Sequence, residues 1–164
     1  MTRPMTIVLA LVCLASRAQS PSDGTRTAPV AAIRAHVEQI NRAWKSDDGA
    51  AIMASLLSDT FTASIPHPGK PGQWLTLNKS QFCAMFQRAL EQNRPKSHVH
   101  HVTRVTAFGS VCHEIGNSLH VGADGTRRED EILNVWKEEE GLWRLVFSTH
   151  TSMLRDALDA KDSQ

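Results

Sequence analysis

The chain has 164 residues, enough for one domain, and its 18 Lys and Arg nearly balance 17 Asp and Glu, for a net charge of +1. This near-neutral balance, without a run of basic residues, argues against nucleic acid as a partner. The composition therefore excludes a highly charged binding protein and leaves a globular domain with a core.

The N-terminus has the layout of a secretory signal peptide. Arg3 precedes an apolar run, Met5–Ala15, which is too short to span a bilayer, and Ser16 and Ala18 are small residues suited to peptidase cleavage. We therefore predict a signal peptide over residues 1–18 and an exported protein, periplasmic or secreted. No later apolar stretch is long enough to span a membrane, so no membrane contact is expected after cleavage.

Hydrophobic spacing predicts helices in the first half of the chain. Residues 19–30 are polar and contain Pro and Gly, which favours a flexible lead-in. A domain over residues 31–155 and a polar tail over 156–164 would follow. Within the domain, apolar residues recur at helical spacing in three segments, the third of them capped by Asn78.

The second half predicts strands. A short strand over 60–65 precedes a loop rich in Pro and Gly, and four long extended segments follow the third helix, separated by glycines. Helices followed by a run of strands indicate an α+β fold with a mostly antiparallel sheet of four to six strands. Three helices cover one face of such a sheet, so we expect a homodimer through the other, convex face.

The most informative segment is Ile132–Ser152, two apolar strands that carry polar residues where a solid core would have none. Asn134 lies between Leu133 and Val135, and His150 lies near the end of the last strand. Because polar groups buried in a sheet must be hydrogen-bonded or hydrated, this pattern favours an internal pocket. A structural bond from Asn134 to the backbone is the alternative.

This order of elements resembles the nuclear transport factor 2-like superfamily, which includes ketosteroid isomerase, SnoaL-like polyketide cyclases, scytalone dehydratase and many exported bacterial proteins of unknown function. The residues that carry the resemblance are Ala43–Phe61, Ile65–Gly69 and Asn134–Ser152. It implies a cone-shaped, strongly bent sheet wrapped around the helices, a cystatin-like α+β barrel with a pocket inside. It implies no single activity, because this scaffold supports enzymes, binding proteins and assembly domains.

The isomerase's catalytic residues are mostly missing when its roles are carried over. Its general-base carboxylate would stand at Ile65 or Ser64, and its tyrosine would stand near Ile40 in a chain that has no Tyr. Asn134 falls where the second oxyanion donor would lie, and His150 falls on a pocket wall. Steroid isomerisation by the known residues is therefore not expected.

We consider His150 and His67 as candidate acid/base residues, because histidine transfers protons near neutral pH. The ligand-binding candidates are Trp44, Ile65, Trp74, Asn134 and His150. We expect no metal site and no cofactor: His98, His100 and His101 have no completing ligand in a known spacing, and a solvent-facing strand start explains them. Cys83 and Cys112 are a candidate disulfide pair, with free buried thiols as the alternative.

Three functions remain open from the sequence. The first is an exported protein that binds a small apolar or carbonyl-bearing molecule. The second is a cofactor-free isomerase, cyclase or dehydratase that uses His150 and His67, with Asn134 as an oxyanion donor. The third is a protein-interaction module whose cone is filled by its own side chains.

Overall fold

The structure is a computed structural model that describes residues 23–67, 69–70 and 72–151, with the backbone alone for 23–27. The predicted signal peptide and the polar tail lie outside the described residues. The elements, in chain order, are α1 (Asp23–Ala43), α2 (Gly49–Leu56), β1 (Leu57–Pro66), β2 (Trp74–Asn78), α3 (Lys79–Gln92), β3 (Ser97–Phe108), β4 (Val111–Val121), β5 (Arg127–Glu139) and β6 (Leu142–His150). The α+β prediction is confirmed.

The six strands form one curled, mixed sheet in the order β2-β1-β6-β5-β4-β3. All neighbours are antiparallel except β1 and β6, which are parallel. The register shifts between Val102 and Arg104 on β3 and between Val135 and Trp136 on β5. Such irregularities bend strands, and they let the sheet curve around the helices.

Helix α1 packs along the concave face of the sheet. It begins at Asp23, so the prediction of a flexible lead-in to residue 30 is wrong for its last eight residues, and Pro29 lies inside the helix. Ile33, Val37 and Ile40 recur at helical spacing and are buried. Among the helices that the structure describes, none is long and apolar enough to cross a membrane.

Helix α3 begins where the sequence predicted. The Asn78 side chain accepts a hydrogen bond from the Gln81 backbone N–H, and the Gln81 side chain accepts one from the Asn78 N–H, each at 3.0 Å. This reciprocal cap satisfies two backbone donors at the start of the helix. Phe82, Phe86 and Leu90 then face the core from α3.

A side-chain clamp joins α1 to β3. The Asn41 side chain donates from Nδ2 to the His100 carbonyl oxygen at 3.2 Å, and its Oδ1 accepts from the His100 backbone N–H at 2.7 Å. One amide thus satisfies both backbone groups of His100. The clamp fixes the helix against the strand at the position of that histidine.

Replacing Asn41 with Ala should lower the free energy of unfolding by about 1–3 kcal/mol, because both backbone groups of His100 would lose their partner. Urea denaturation measures this change. Glu38→Ala, an exposed position on the same helix, is the matched control and should change stability by less than about 0.5 kcal/mol. Equal stability of Asn41→Ala and the parent protein would contradict a role for the clamp.

Candidate functional site

A pocket lies between the helices and the concave face of the sheet. Its cavity volume is about 60 Å³. Six apolar side chains and one tryptophan form most of its wall: Ile40, Trp44, Met53, Phe82, Phe86, Ile132 and Leu145. Five polar side chains complete it: His98, His100, Asn134, Ser148 and His150.

Strand alternation explains why the polar residues share one face. His98 and His100 are two residues apart on β3, and successive side chains of a strand point to opposite faces. On the neighbouring strands, Asn134 pairs with Ser148, and Ile132 pairs with His150. The concave face of the sheet therefore presents all five polar side chains to the pocket, together with the apolar Ile132 and Leu145, while the helices present apolar ones.

The centre of this polar face is a buried pair between His100 and Glu114. His100 Nε2 lies 2.7 Å from Glu114 Oε1, and the two side chains are 2% and 0% exposed. Glu114 Oε2 accepts two further hydrogen bonds, from Asn134 Nδ2 at 2.9 Å and from Trp136 Nε1 at 3.0 Å. Two hydrogen-bond donors and one close imidazole therefore surround one carboxylate.

The contacts of Glu114 decide its protonation state. Burial raises the pKa of the carboxyl, but the close contact and charge of His100, with the bonds from Asn134 and Trp136, outweigh burial and hold the pKa below its ordinary value. Glu114 is therefore a carboxylate at neutral pH. It is the buried negative charge beneath the pocket.

Gly116 gives His100 the space to reach Glu114. A Cβ at this position would lie 2.9 Å from His100 Nε2 and closer still to the His101 carbonyl oxygen. A glycine in the middle of a strand often marks such a close approach. The bare backbone of Gly116 lets the imidazole lie across β4.

Three polar atoms of the residues that line the pocket have no hydrogen-bond partner within the described residues. They are Asn134 Oδ1, His98 Nδ1 and His100 Nε2, the last of which lies 2.7 Å from Glu114 Oε1 without the geometry of a hydrogen bond. Asn134 is 2% exposed, and since its Nδ2 donates to Glu114, its free atom is an acceptor. It therefore offers the pocket an acceptor, and the oxyanion-donor role considered from the sequence stays a prediction.

The remaining histidines of the pocket are held neutral. Burial, with the nearby His120 and His100, lowers the pKa of His98 to about 3. Trp44 stacks on His98 with ring centroids 4.8 Å apart. Burial lowers the pKa of His150, and the Asp130 carboxylate opposes that shift without cancelling it. Both rings are therefore uncharged at neutral pH.

The structure brings some of the predicted site residues together and separates others. Trp44, Asn134 and His150 line the pocket, while His67, Ile65 and Trp74 do not. His67 follows β1 and its backbone N–H donates to the Gln73 carbonyl, in the connection to β2. The proposed acid/base pair of His150 and His67 is therefore not assembled.

The β1–β2 hairpin accounts for the two other displaced candidates. Ile65 pairs with Leu75 and is half-buried, and Trp74 is exposed at the start of β2. The hairpin forms the edge of the sheet, away from the polar strands β3 to β5. The candidate disulfide is not formed, since Cys83 and Cys112 are both free thiols.

Sequence reasoning missed the central pair. His98 and His100 are 8% and 4% exposed, so the interpretation of this segment as a solvent-facing strand start is wrong for both, whereas His101 is exposed. No sequence pattern marked Glu114 as a site residue, because it lies in a segment that is typical of an ordinary strand. The sequence pattern that could have indicated the pair is the alternation of His98 and His100 on a strand next to the one that contains both Glu114 and Gly116.

Within the described residues, no three His, Cys, Asp or Glu side chains lie close enough together to hold a metal ion. His100 and Glu114 face each other, and the remaining donors of Glu114 are the Asn134 amide and the Trp136 indole. The arrangement is suited to hydrogen bonding and proton transfer.

No family model matches the sequence, and no curated protein matches it either. Solved structures do. A conserved protein from Planctomyces limnophilus is 17% identical, with 76% of this chain and 95% of that one covered and a TM-score of 0.62. An NTF2-like protein of unknown function from Silicibacter pomeroyi is also 17% identical, with 77% and 97% covered and a TM-score of 0.60.

A third similar structure is a domain of unknown function with a cystatin-like fold from Nostoc punctiforme. It is 21% identical, with 84% of this chain and 88% of that one covered and a TM-score of 0.63. The chain has the nuclear transport factor 2-like fold. At these identities the likeness shows the NTF2-like fold alone, and function must be argued from the pocket.

The lowered pKa of His98 predicts loss of stability in acid. Unfolding restores the ordinary value of 6.5, so below that pH the unfolded state binds more protons and stability falls as the pH approaches about 3. The slope for one such histidine approaches about 1.4 kcal/mol per pH unit. Urea denaturation between pH 7.5 and 4.5 measures it.

His98→Phe keeps a ring against Trp44 and should make this pH dependence shallower. His101→Phe, at an exposed neighbouring histidine, should leave it unchanged. An identical pH profile for His98→Phe and the parent protein would contradict a neutral His98 in the folded state.

Proposed function

We propose that this protein binds a small, uncharged, mainly apolar molecule in the pocket of its NTF2-like fold. The observation that carries the proposal is the unpartnered Asn134 Oδ1, a buried acceptor in the wall of a mostly apolar cavity. An unsatisfied buried acceptor costs about 1–3 kcal/mol. A ligand that donates a hydrogen bond to Oδ1 would remove that cost.

The charges around the pocket favour an uncharged ligand. No Lys or Arg is among the residues that line it, and His98 and His150 are neutral, so an anion would have no counter-ion. The Glu114 carboxylate would repel an anion further. A cation would find Glu114 already hydrogen-bonded to two donors and in close contact with His100, and burying a charge without a partner is costly.

The cavity volume limits the size of the ligand. About 60 Å³ is enough for water, whereas a cavity of about 150 Å³ is known to accommodate benzene. We therefore expect a ligand no larger than about one ring, admitted when side chains such as Met53 move aside. Methionine adapts readily to such changes.

Export and self-association belong to the same proposal. The layout of residues 1–18 supports export to the periplasm or the medium. The outer face of the sheet supports a homodimer: Ile115 and Leu133 are paired across β4 and β5, and each is 37% exposed. Adjoining exposed apolar residues mark an interface when they form part of a larger patch.

Phenol and benzene test the binding function, because they differ only in the hydroxyl group that could donate to Asn134. We expect phenol to bind more tightly than benzene, and we expect Asn134→Leu to reduce this preference about tenfold, the equivalent of about 1.4 kcal/mol. Titration of the Trp44 indole resonance by NMR measures both affinities.

Leu57→Val, a conservative core change outside the pocket lining, is the control and should leave the phenol preference unchanged. An unchanged preference in Asn134→Leu would mean that Oδ1 does not recognise the ligand. Failure of both compounds to perturb Trp44 would contradict binding of a one-ring molecule.

Sedimentation velocity tests the homodimer. We expect twice the monomer mass for the parent protein and a monomer for Leu133→Arg, because charge would replace an apolar contact. Trp74→Arg is the matched control, an exposed apolar residue on the distant strand β2 that should leave the dimer intact. A monomeric parent protein would refute the dimer.

A further inference from the structure

We propose that three rings at one end of the pocket, those of Trp44, His98 and His120, form a proton-operated gate. The gate is closed while both imidazoles are neutral. It opens when they take up protons, and the pocket then holds its ligand less tightly. The effect on the ligand rests on the binding function proposed above, whereas the opening is a property of the protein alone.

The three rings of the gate contact one another. Trp44 stacks on His98 with ring centroids 4.8 Å apart. His120 meets both rings edge to face, at 84° and 5.7 Å from Trp44 and at 78° and 5.9 Å from His98. On its other side, Trp44 packs against Phe86 of α3 with ring centroids 4.5 Å apart. The gate therefore joins the end of α1 to β3, β4 and α3.

The gate lies between the cavity and the solvent. Trp44 and His98 line the pocket. His120 is outside the lining and half-buried, and it pairs with His98 across β3 and β4, so its ring supports the pocket wall from the solvent side. If His120 turned away, Trp44 and His98 would lose this support and the pocket would open at that end.

The groups that face the gate are mostly cations or become cations in acid. Burial, followed by the neighbouring histidines and Lys45, lowers the pKa of His98 to about 3. Burial and Arg128 lower the pKa of His120, and the Asp130 carboxylate opposes that shift. By element, the titratable and charged groups are Lys45 after α1, His100 on β3, Arg128 and Asp130 on β5, and His150 on β6, while α3 contributes the uncharged ring of Phe86.

Asp130 provides the partner that a protonated His120 would turn to. Its side chain is 8% exposed, and its Oδ1, 3.5 Å from Arg128 Nε, has no hydrogen-bond partner within the described residues. His120 pairs with Arg128 across β4 and β5, which makes Asp130 its diagonal neighbour on the same face of the sheet. A hydrogen bond between imidazolium and carboxylate is among the stronger ones in proteins. His120 therefore has two positions, against Trp44 when neutral and against Asp130 when charged.

The direction of the pH effect follows from the protons that each state binds. In the open gate the imidazoles are hydrated and regain a pKa near 6.5, whereas in the closed gate the pKa of His98 is about 3. The open gate therefore binds more protons below pH 6.5, and its population rises as the pH falls from that value. His98 alone would raise the ratio of open to closed gates about 30-fold between pH 7.5 and pH 5.

An NMR titration of the parent protein without ligand tests the opening. We expect the Trp44 indole resonance to move between pH 6.5 and pH 5 while the far-ultraviolet circular dichroism remains that of the folded protein. A Trp44 resonance that stays in place, or that moves only as the circular dichroism is lost, would overturn the gate.

The affinity for phenol tests the consequence for the ligand. A phenol hydroxyl, like that of tyrosine, is neutral throughout this pH range, so that any change in affinity comes from the protein. We expect the dissociation constant to rise at least about tenfold from pH 7.5 to pH 5, because the open gate no longer encloses the ligand. An unchanged dissociation constant would overturn control of the ligand by the gate.

A pair of double variants assigns the effect to the gate. His98→Phe with His120→Phe keeps three rings and removes both protonation sites, so the Trp44 resonance and the dissociation constant of phenol should become independent of pH. His101→Phe with His113→Phe, at exposed histidines of the same two strands, is the matched control and should keep the full pH dependence. Full pH dependence in the first double variant would overturn the assignment.

A conservative variant tests the partner of His120. Asp130→Asn removes the carboxylate and should move the midpoint of the Trp44 titration to lower pH by about one unit. An unchanged midpoint would overturn the role of Asp130 in the open gate.

The outcomes distinguish the gate from the binding function. If phenol does not perturb Trp44 at any pH, binding is overturned, and the titration without ligand still decides whether the gate opens. If phenol binds equally well at pH 7.5 and pH 5 and the free Trp44 resonance does not move, binding stands and the gate is overturned.

Discussion

A carboxylate sealed inside a protein needs polar partners, and Glu114 draws them from the strands on either side of it. His100 comes from β3, and Asn134 and Trp136 come from β5. Removing one partner of such a buried pair typically costs about 3–5 kcal/mol, because the remaining charge is left uncompensated. Glu114 therefore specifies how β3, β4 and β5 align as well as where the pocket has its polar face.

The alignment of the strands follows from this requirement. Glu114 pairs with Asn134 across β4 and β5, but His100 pairs with Ser118, so its ring must cross Gly116 to reach the carboxylate. A slip of one residue in this strand pairing would turn the polar side chains of the pocket to the outer face of the sheet. It would also point the apolar side chains of the outer face into the pocket. The register shift after Val102 and the glycine at position 116 both help to bring His100 to Glu114.

The sequence predicted the order of elements well, because helical spacing, the Asn78 cap and the glycine-separated strands are local signals. It also identified Asn134, since an amide between Leu133 and Val135 conflicts with a plain apolar core. It could not predict the His100–Glu114 pair, because that contact depends on a register set by a bulge and a glycine on different strands. His67 and Trp74 lie outside the pocket lining for a related reason: the path of the β1–β2 hairpin relative to the pocket is not encoded in local spacing.

A buried ion pair by itself is weak evidence of function, since apolar residues of similar volume often stabilise a core at least as well. The polar groups of this core, however, do not satisfy one another: Asn134 Oδ1 and His98 Nδ1 are left without partners at the wall of a cavity. A network selected only for stability would have closed on itself. One that ends in open polar atoms at a cavity wall is arranged for a molecule that completes it, and that is the physical basis on which we propose ligand binding in this pocket.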